Sequence, residues 1–294
     1  MGGIATIVVG MKAHRNHAGV QQEGCAALAN LADNSNVNQV LIAMAGGIET
    51  ILSAMEAHRD HAGVQAYGCS TLSNMAVSVT NTVSIVKAGG IATIMSAMDA
   101  HRDHAVVQEY GCGALTNLAF DVDNRVSIAK AGGIVAIVSS MTAHRDHGGV
   151  QEYGCMALRN LAANNGANRV SIAMAGGIET ILIGMDAHHD HAISQQYGCA
   201  TLWNLALNND ANTVSIAKAG GIVTIVSGME AHRDHDLVQL QGCLALKILS
   251  FNAKVALLIE EAGGVKVLEA AYSKCHYAEH ALCNIRKASM EEKE

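Results

Sequence analysis

The sequence repeats itself at a fixed period. Gly-Gly pairs in register stand at 2–3, 46–47, 89–90, 132–133, 176–177, 220–221 and 263–264, so each follows the last by 43 or 44 residues. Two further markers keep phase with them. Ala-His-Arg-Asp-His occupies 57–61, 100–104, 143–147 and 231–235, with variants at 13–17 and 187–191, and Gly-Cys recurs at 24–25, 68–69, 111–112, 154–155, 198–199 and 242–243. Self-similarity at this period marks a solenoid, whose units bury their apolar faces only against their neighbours. The chain of 294 residues can therefore grow without building separate cores.

Within a unit the pattern is helical. Asn124–Ala131 reads as a short amphipathic helix, and Gly132-Gly133 turns the chain as a C-terminal cap would. Ile134–Ala143 is apolar on most sides and predicts a buried second helix. A polar turn, His144–Gly149, leads to a longer third helix over Val150–Ala163. Composition agrees, because proline is absent and aromatics make up only 3%. Helices can run unbroken and pack closely on small and branched aliphatic side chains.

At 100° per residue, the third helix has two unlike faces. Leu158 and Cys155 lie opposite Asn160 and belong to the core, whereas Tyr153 falls on the same side as Asn160, beside Met156 and Arg159. The pattern recurs: Asn30, Asn74, Asn117, Asn160, Asn204 and Asn284 hold one position, and only Ile248 interrupts the row. Tyr67, Tyr110, Tyr153, Tyr197 and Tyr277 stand seven residues before it, with Glu23 and Gln241 in the other units. Trp203 is the only tryptophan and falls on the same strip, with Leu207 and Lys247 nearby. This reading turns the asparagines away from the core, so their removal is expected to leave stability unchanged. Loss of Leu115, Leu158 or Leu202 is expected to unfold the chain.

Segments such as AGGIVAIV followed by VQEYGCMALRNLA resemble armadillo repeats, the motif shared by β-catenin and importin-α, over essentially the whole chain. The resemblance implies an all-α, right-handed superhelical solenoid of about seven three-helix repeats, the first incomplete. It makes 1–294 a single armadillo-repeat domain with units at about 1–33, 34–77, 78–120, 121–163, 164–207, 208–251 and 252–294. It also implies that the asparagine amides hold the backbone of an extended peptide, since an amide offers both donors and an acceptor. The chain departs from the family at two places. Proline does not open the second helix, and the tryptophan that importin-α carries four residues before its asparagine is replaced by Ala26, Ser70, Gly113, Met156, Ala200 and Leu244.

Other chemistry reads as architecture. Histidine pairs such as His58/His61 could share a metal, but sixfold repetition at a helix–helix turn points to capping of the second helix, with Asp near the start of the third. Equivalent cysteines in stacked repeats lie ~10 Å apart, too far to bridge. Gly-Gly-Ile matches no phosphate-binding loop, and no repeat stands out as a catalytic site. The net charge of −7 disfavours broad contact with nucleic acid, and no segment is long and apolar enough to span a membrane.

The expected protein is thus non-enzymatic and without cofactor or metal, intracellular in the cytoplasm or nucleus, and binds a protein or extended peptide. The expected contact residues are Asn30, Asn74, Asn117, Asn160, Asn204, Tyr67, Tyr110, Tyr153, Tyr197, Trp203 and Arg159. A structural alternative is self-assembly. The chain starts at a Gly-Gly turn, so Ile4, Ile7, Val8 and Met11 lack a covering first helix and could stack on another copy. Tyr277–Arg286 followed by a charged tail predicts a closing cap at the other end.

Overall fold

The computed structural model describes residues 2–272 and 275–292. Among these, all regular structure is α-helical. Two compact units divide the chain, Met1–His144 and Arg145–Glu294. The first contains α1 (Gly2–Ala13), α2 (Ala18–Ala32), α3 (Asn36–Met44), α4 (Gly47–Ala57), α5 (Ala62–Met75), α6 (Val79–Lys87), α7 (Gly90–Ala100), α8 (Ala105–Leu118), α9 (Val122–Lys130) and α10 (Gly133–Ala143). The second contains α11 (Gly148–Ala162), α12 (Gly166–Met174), α13 (Gly177–Ala187), α14 (Ala192–Ala206), α15 (Asp210–Lys218), α16 (Gly221–Ala231), α17 (Asp236–Leu249), α18 (Ala253–Glu261), α19 (Gly264–Ala271) and α20 (His276–Glu291). In each unit the long third helices form the spine: α2 packs on α5 and α5 on α8 in the first, and α11 on α14, α14 on α17 and α17 on α20 in the second.

Each sequence marker has a mechanical cause. The first glycine of each in-register pair from Gly46 on is left-handed, Gly46 at φ +76° for example, and the turns at Gly46, Gly89 and Gly132 swing the chain from the first helix into the second at 72°. Gly-Cys is needed for close approach. A methyl group at Gly68 would lie 2.6 Å from Cγ of Met55 on the preceding helix, and the same pairing joins Gly24 to Met11, Gly111 to Met98 and Gly242 to Met229. The cysteine beside it is fully buried, as at Cys69 and Cys112, and fills the seam as a small apolar group.

The histidines divide the work differently from the sequence-based expectation. The first of each pair sits at the C-terminus of the second helix and donates from Nε2 to a backbone carbonyl one repeat earlier. His58 reaches Arg15 O, His101 reaches Arg59 O and His144 reaches Arg102 O, each at 2.7 Å, and His188 reaches Arg145 O at 2.9 Å. The second histidine, not the aspartate, caps the third helix: Nδ1 of His17, His61, His104 and His235 accepts from the N–H three residues on. A buried glutamine completes the corner. Gln65 Nε2 donates to Met55 O and His58 O, both at 2.8 Å, satisfying carbonyls left open at the helix end.

The alternation between 43 and 44 residues is a corner effect. Where the third helix hands over to the next repeat, Asn34, Asn164 and Asn208 adopt left-handed backbone at φ +50°, +51° and +53°. These corners belong to the 44-residue repeats. The 43-residue repeats lack that residue, and Val77, Phe120 and Phe251 stand exposed at the shorter corner.

The N-terminal face is not bare. Packing of α1 against α2 and α4 buries Ile4, Val8 and Met11 and half-buries Ile7, leaving Val9 as the exposed large apolar residue of that helix. The expected stacking surface is therefore already covered by the chain's own helices. At the other end α20 runs through the predicted cap to Glu291, with Ala278, Leu282 and Ile285 turned inward.

Candidate functional site: the third-helix strip

The first unit places Asn30, Tyr67, Asn74, Tyr110 and Asn117 on the outward side of α2, α5 and α8. Asn30 is exposed, Tyr67 is 37% exposed, and Asn74, Tyr110 and Asn117 are half-buried. Burial, with Glu109 and Tyr67 adding negative potential, raises the Tyr110 phenol above its ordinary value. The phenol therefore stays a neutral donor. The asparagines are engaged by the fold itself: Asn74 Nδ2 donates to Ala29 O at 3.0 Å, and Asn117 Nδ2 donates to Ser73 O at 2.9 Å. Each amide thus ties its helix to the third helix before it. Thr71 does the same through Oγ1 to Cys25 O at 2.9 Å.

The second unit carries Tyr153, Arg159, Asn160, Tyr197, Trp203 and Asn204 on α11 and α14. Tyr153, Arg159, Tyr197 and Trp203 are half-buried. Asn160 and Asn204 are buried, and Asn204 Nδ2 donates to Ala200 O within its own helix. Here the expectation of asparagines turned away from the core is corrected: neighbouring helices close over them. Trp203 Nε1–H donates to Gln241 Oε1 at 2.9 Å, and the Lys247 ammonium lies 4.8 Å from the centre of the Tyr277 ring. Both contacts lock side chains of adjacent third helices into one surface. Buried Arg169 donates to Ala162 O and Leu207 O, fixing the left-handed corner, and burial lowers its pKa from the ordinary value.

Sequence reasoning missed the two phenylalanines. Phe120 is 66% exposed and Phe251 67% exposed, both at the end of the third-helix strip. The available signal was that both phenylalanines share one repeat position. It also missed the pairing of buried Cys243 with buried Cys275, whose proximity, after burial itself, pushes the Cys243 thiol up from its ordinary value. Among the described residues, no group of three or more His, Cys, Asp or Glu is placed to hold a metal ion. No single described helix is long and apolar enough to cross a membrane.

Short first helix, left-handed glycine turn, second helix and long stacked third helix define an armadillo-type repeat protein. The chain belongs to the family described as "Protein zer-1 homolog-like, C-terminal domain", whose model matches residues 9–182. No curated protein matches the sequence. Among solved structures, the chain is similar to an engineered protein at 25% identity and TM-score 0.82, over 97% of this chain and 68% of that one. It is also similar to a designed armadillo repeat protein at 16% identity and TM-score 0.72, over 84% and 99%. Another designed armadillo repeat protein, solved in complex with the peptide (KR)4, matches at 14% identity and TM-score 0.69, over 84% and 99%.

Proposed function

We propose that this chain is a non-catalytic scaffold that binds an extended segment of a partner protein along its third-helix strip. One observation carries the reading: none of its aromatic side chains is buried. All two Phe, six Tyr and one Trp lie outside the core, and all but Tyr272 sit on a third helix or at its C-terminal corner. A chain short of aromatics normally uses them for burial. Displayed along the third helices of each unit, they supply contact area at small entropic loss, as binding surfaces do. The (KR)4 complex of a designed neighbour supports the choice of ligand class.

The test is site-specific photocrosslinking of the full chain in cells. A benzophenone side chain at Tyr110 or Tyr197 should capture a polypeptide, whereas one at Val135 or Ile183, exposed on second helices, should not. Equal capture at all four positions, or capture only at Val135 and Ile183, would remove the strip as the binding surface.

A further inference from the structure

The one break in the asparagine row, Ile248, lines a cavity of about 410 Å³ with Leu207 and Phe251 on its apolar side and Asp210 and Asn252 at its rim. The cleft lies between two unlike corners, the left-handed Asn208 corner of a 44-residue repeat and the shorter corner at Phe251 of the following 43-residue repeat. The same sequence of long and short corners occurs in the first unit. There an equivalent cleft of about 450 Å³ is lined by Asp33, Asn74 and Val77, residues 174 positions before Leu207, Ile248 and Phe251. Both clefts keep a polar edge of asparagines, but three matched positions differ: Asp33, Asn74 and Val77 in one are Leu207, Ile248 and Phe251 in the other.

We propose that the Ile248 cleft is a socket for one bulky apolar side chain of an extended partner segment. This rests on the strip-binding reading and specifies its anchor. At Asn74, Asn117 and Asn204 the row position carries an amide engaged by the fold; at Ile248 it presents hydrocarbon beside Leu207 and an exposed phenyl ring. At about 410 Å³ the open cleft admits a large side chain together with its flanking backbone, whereas a helix is ~10 Å across. The rim carries one charged group. Asp210 Oδ1 accepts from Asn252 Nδ2 at 2.7 Å, which holds the carboxylate at the mouth. An acidic residue next to the anchor is therefore disfavoured. A second copy of this chain, at net charge −7, also meets like charge there, so the occupant is a non-acidic peptide rather than another copy.

The experiment selects displayed short random peptides on the full chain, on Ile248→Asn and on Phe251→Ser, each first checked for helicity and sedimentation. Asparagine is the natural residue at the equivalent positions, and Phe251 is exposed, so both variants should fold. The expected result is a wild-type consensus with one position restricted to Leu, Ile, Met or Phe and no adjacent acid. A synthetic winner should bind each variant about tenfold more weakly or worse. Enriched peptides without an apolar anchor, or winners that bind Phe251→Ser as tightly as wild type, overturn the socket and leave strip binding standing. No enrichment on wild type overturns both. A wild-type dimer that becomes monomeric in Phe251→Ser assigns the cleft to a second copy and overturns the proposal.

Discussion

Asn117 donates its side-chain amide to the backbone carbonyl of Ser73, one repeat earlier, at 2.9 Å. The second donor–acceptor pair between these residues, Asn117 Nδ2 to Ser73 Oγ at 3.2 Å, reinforces it. Asn74 and Asn117 therefore serve the stack directly. They hold α2, α5 and α8 in register, and a partner's backbone must use what the clamp leaves available.

This changes the expected behaviour of the asparagine variants. Asn74→Ala and Asn117→Ala each remove a part-buried hydrogen bond to a neighbouring repeat, and each should cost about 0.5–1.5 kcal/mol. Urea denaturation of the full chain checks this. Leu115→Ala and Leu202→Ala, at fully buried positions of α8 and α14, should cost about 2–5 kcal/mol each. Asparagine variants with an unchanged midpoint would mean that the clamp contributes nothing to stability.

The Gly-Cys marker makes a prediction of opposite chemistry, since here adding atoms does the damage. Gly68→Ala places a methyl group 2.6 Å from Cγ and Sδ of Met55, and should destabilise by about 1–3 kcal/mol despite the better helix propensity of alanine. Shortening the partner in Gly68→Ala/Met55→Val should recover part of that loss. A double-mutant cycle by thermal melting reads the coupling; strictly additive effects would show that the two residues do not limit each other.

Alkaline pH should unfold the chain. Burial pushes the thiols of Cys25, Cys69, Cys112 and Cys199 from 9.0 up to about 12. Above pH 9 the unfolded chain releases these protons and the fold retains them. The associated stability is therefore complete below pH 9 and is lost between pH 9 and about 12, at about 1.4 kcal/mol per pH unit for each thiol. Circular dichroism across that range should show an early cooperative loss of helix, shifted to higher pH in Cys69→Ala/Cys112→Ala. In parallel, iodoacetamide at neutral pH should modify exposed Cys283 first and leave buried Cys69 and Cys112 unreacted until the chain is denatured.

The helices were legible in the sequence because their signals are local. Gly132-Gly133 and the apolar run after it place α9 and α10 within two residues of their observed bounds. The histidine roles were not legible, since the carbonyl that His101 meets belongs to Arg59, 42 residues away. The asparagine positions were legible and their surroundings were not. A helical wheel places Asn204 opposite Leu202, but only packing between repeats shows that α14 and its neighbours bury both. The burial of Val8 and Met11 was misjudged for a related reason: a wheel shows which face is apolar, and does not show that α2 and α4 already cover it.

The corner rule gives the last prediction, and it separates backbone strain from side-chain contact. Asn208 is left-handed at φ +53°, a region that asparagine tolerates, glycine enters freely and β-branched residues avoid. Asn208→Val should cost about 1–3 kcal/mol, and Asn34→Val in the other unit should cost a similar amount because Asn34 has φ +50°. Asn208→Gly should stay within about 0.5 kcal/mol of wild type, since relief of the Cβ is offset by greater freedom in the unfolded chain. Phe120→Val, at the exposed short corner, should also be near neutral, within about 0.5 kcal/mol. Deleting Asn208 goes further, converting a 44-residue repeat into a 43-residue one. Three corners of this chain already close at that length, so the deletion should still melt cooperatively. The long-to-short step that flanks the Leu207–Phe251 cleft would then be gone. A deletion variant that loses cooperative melting would show that the extra residue is required by that repeat's packing, and that corner length is not free to vary along the stack.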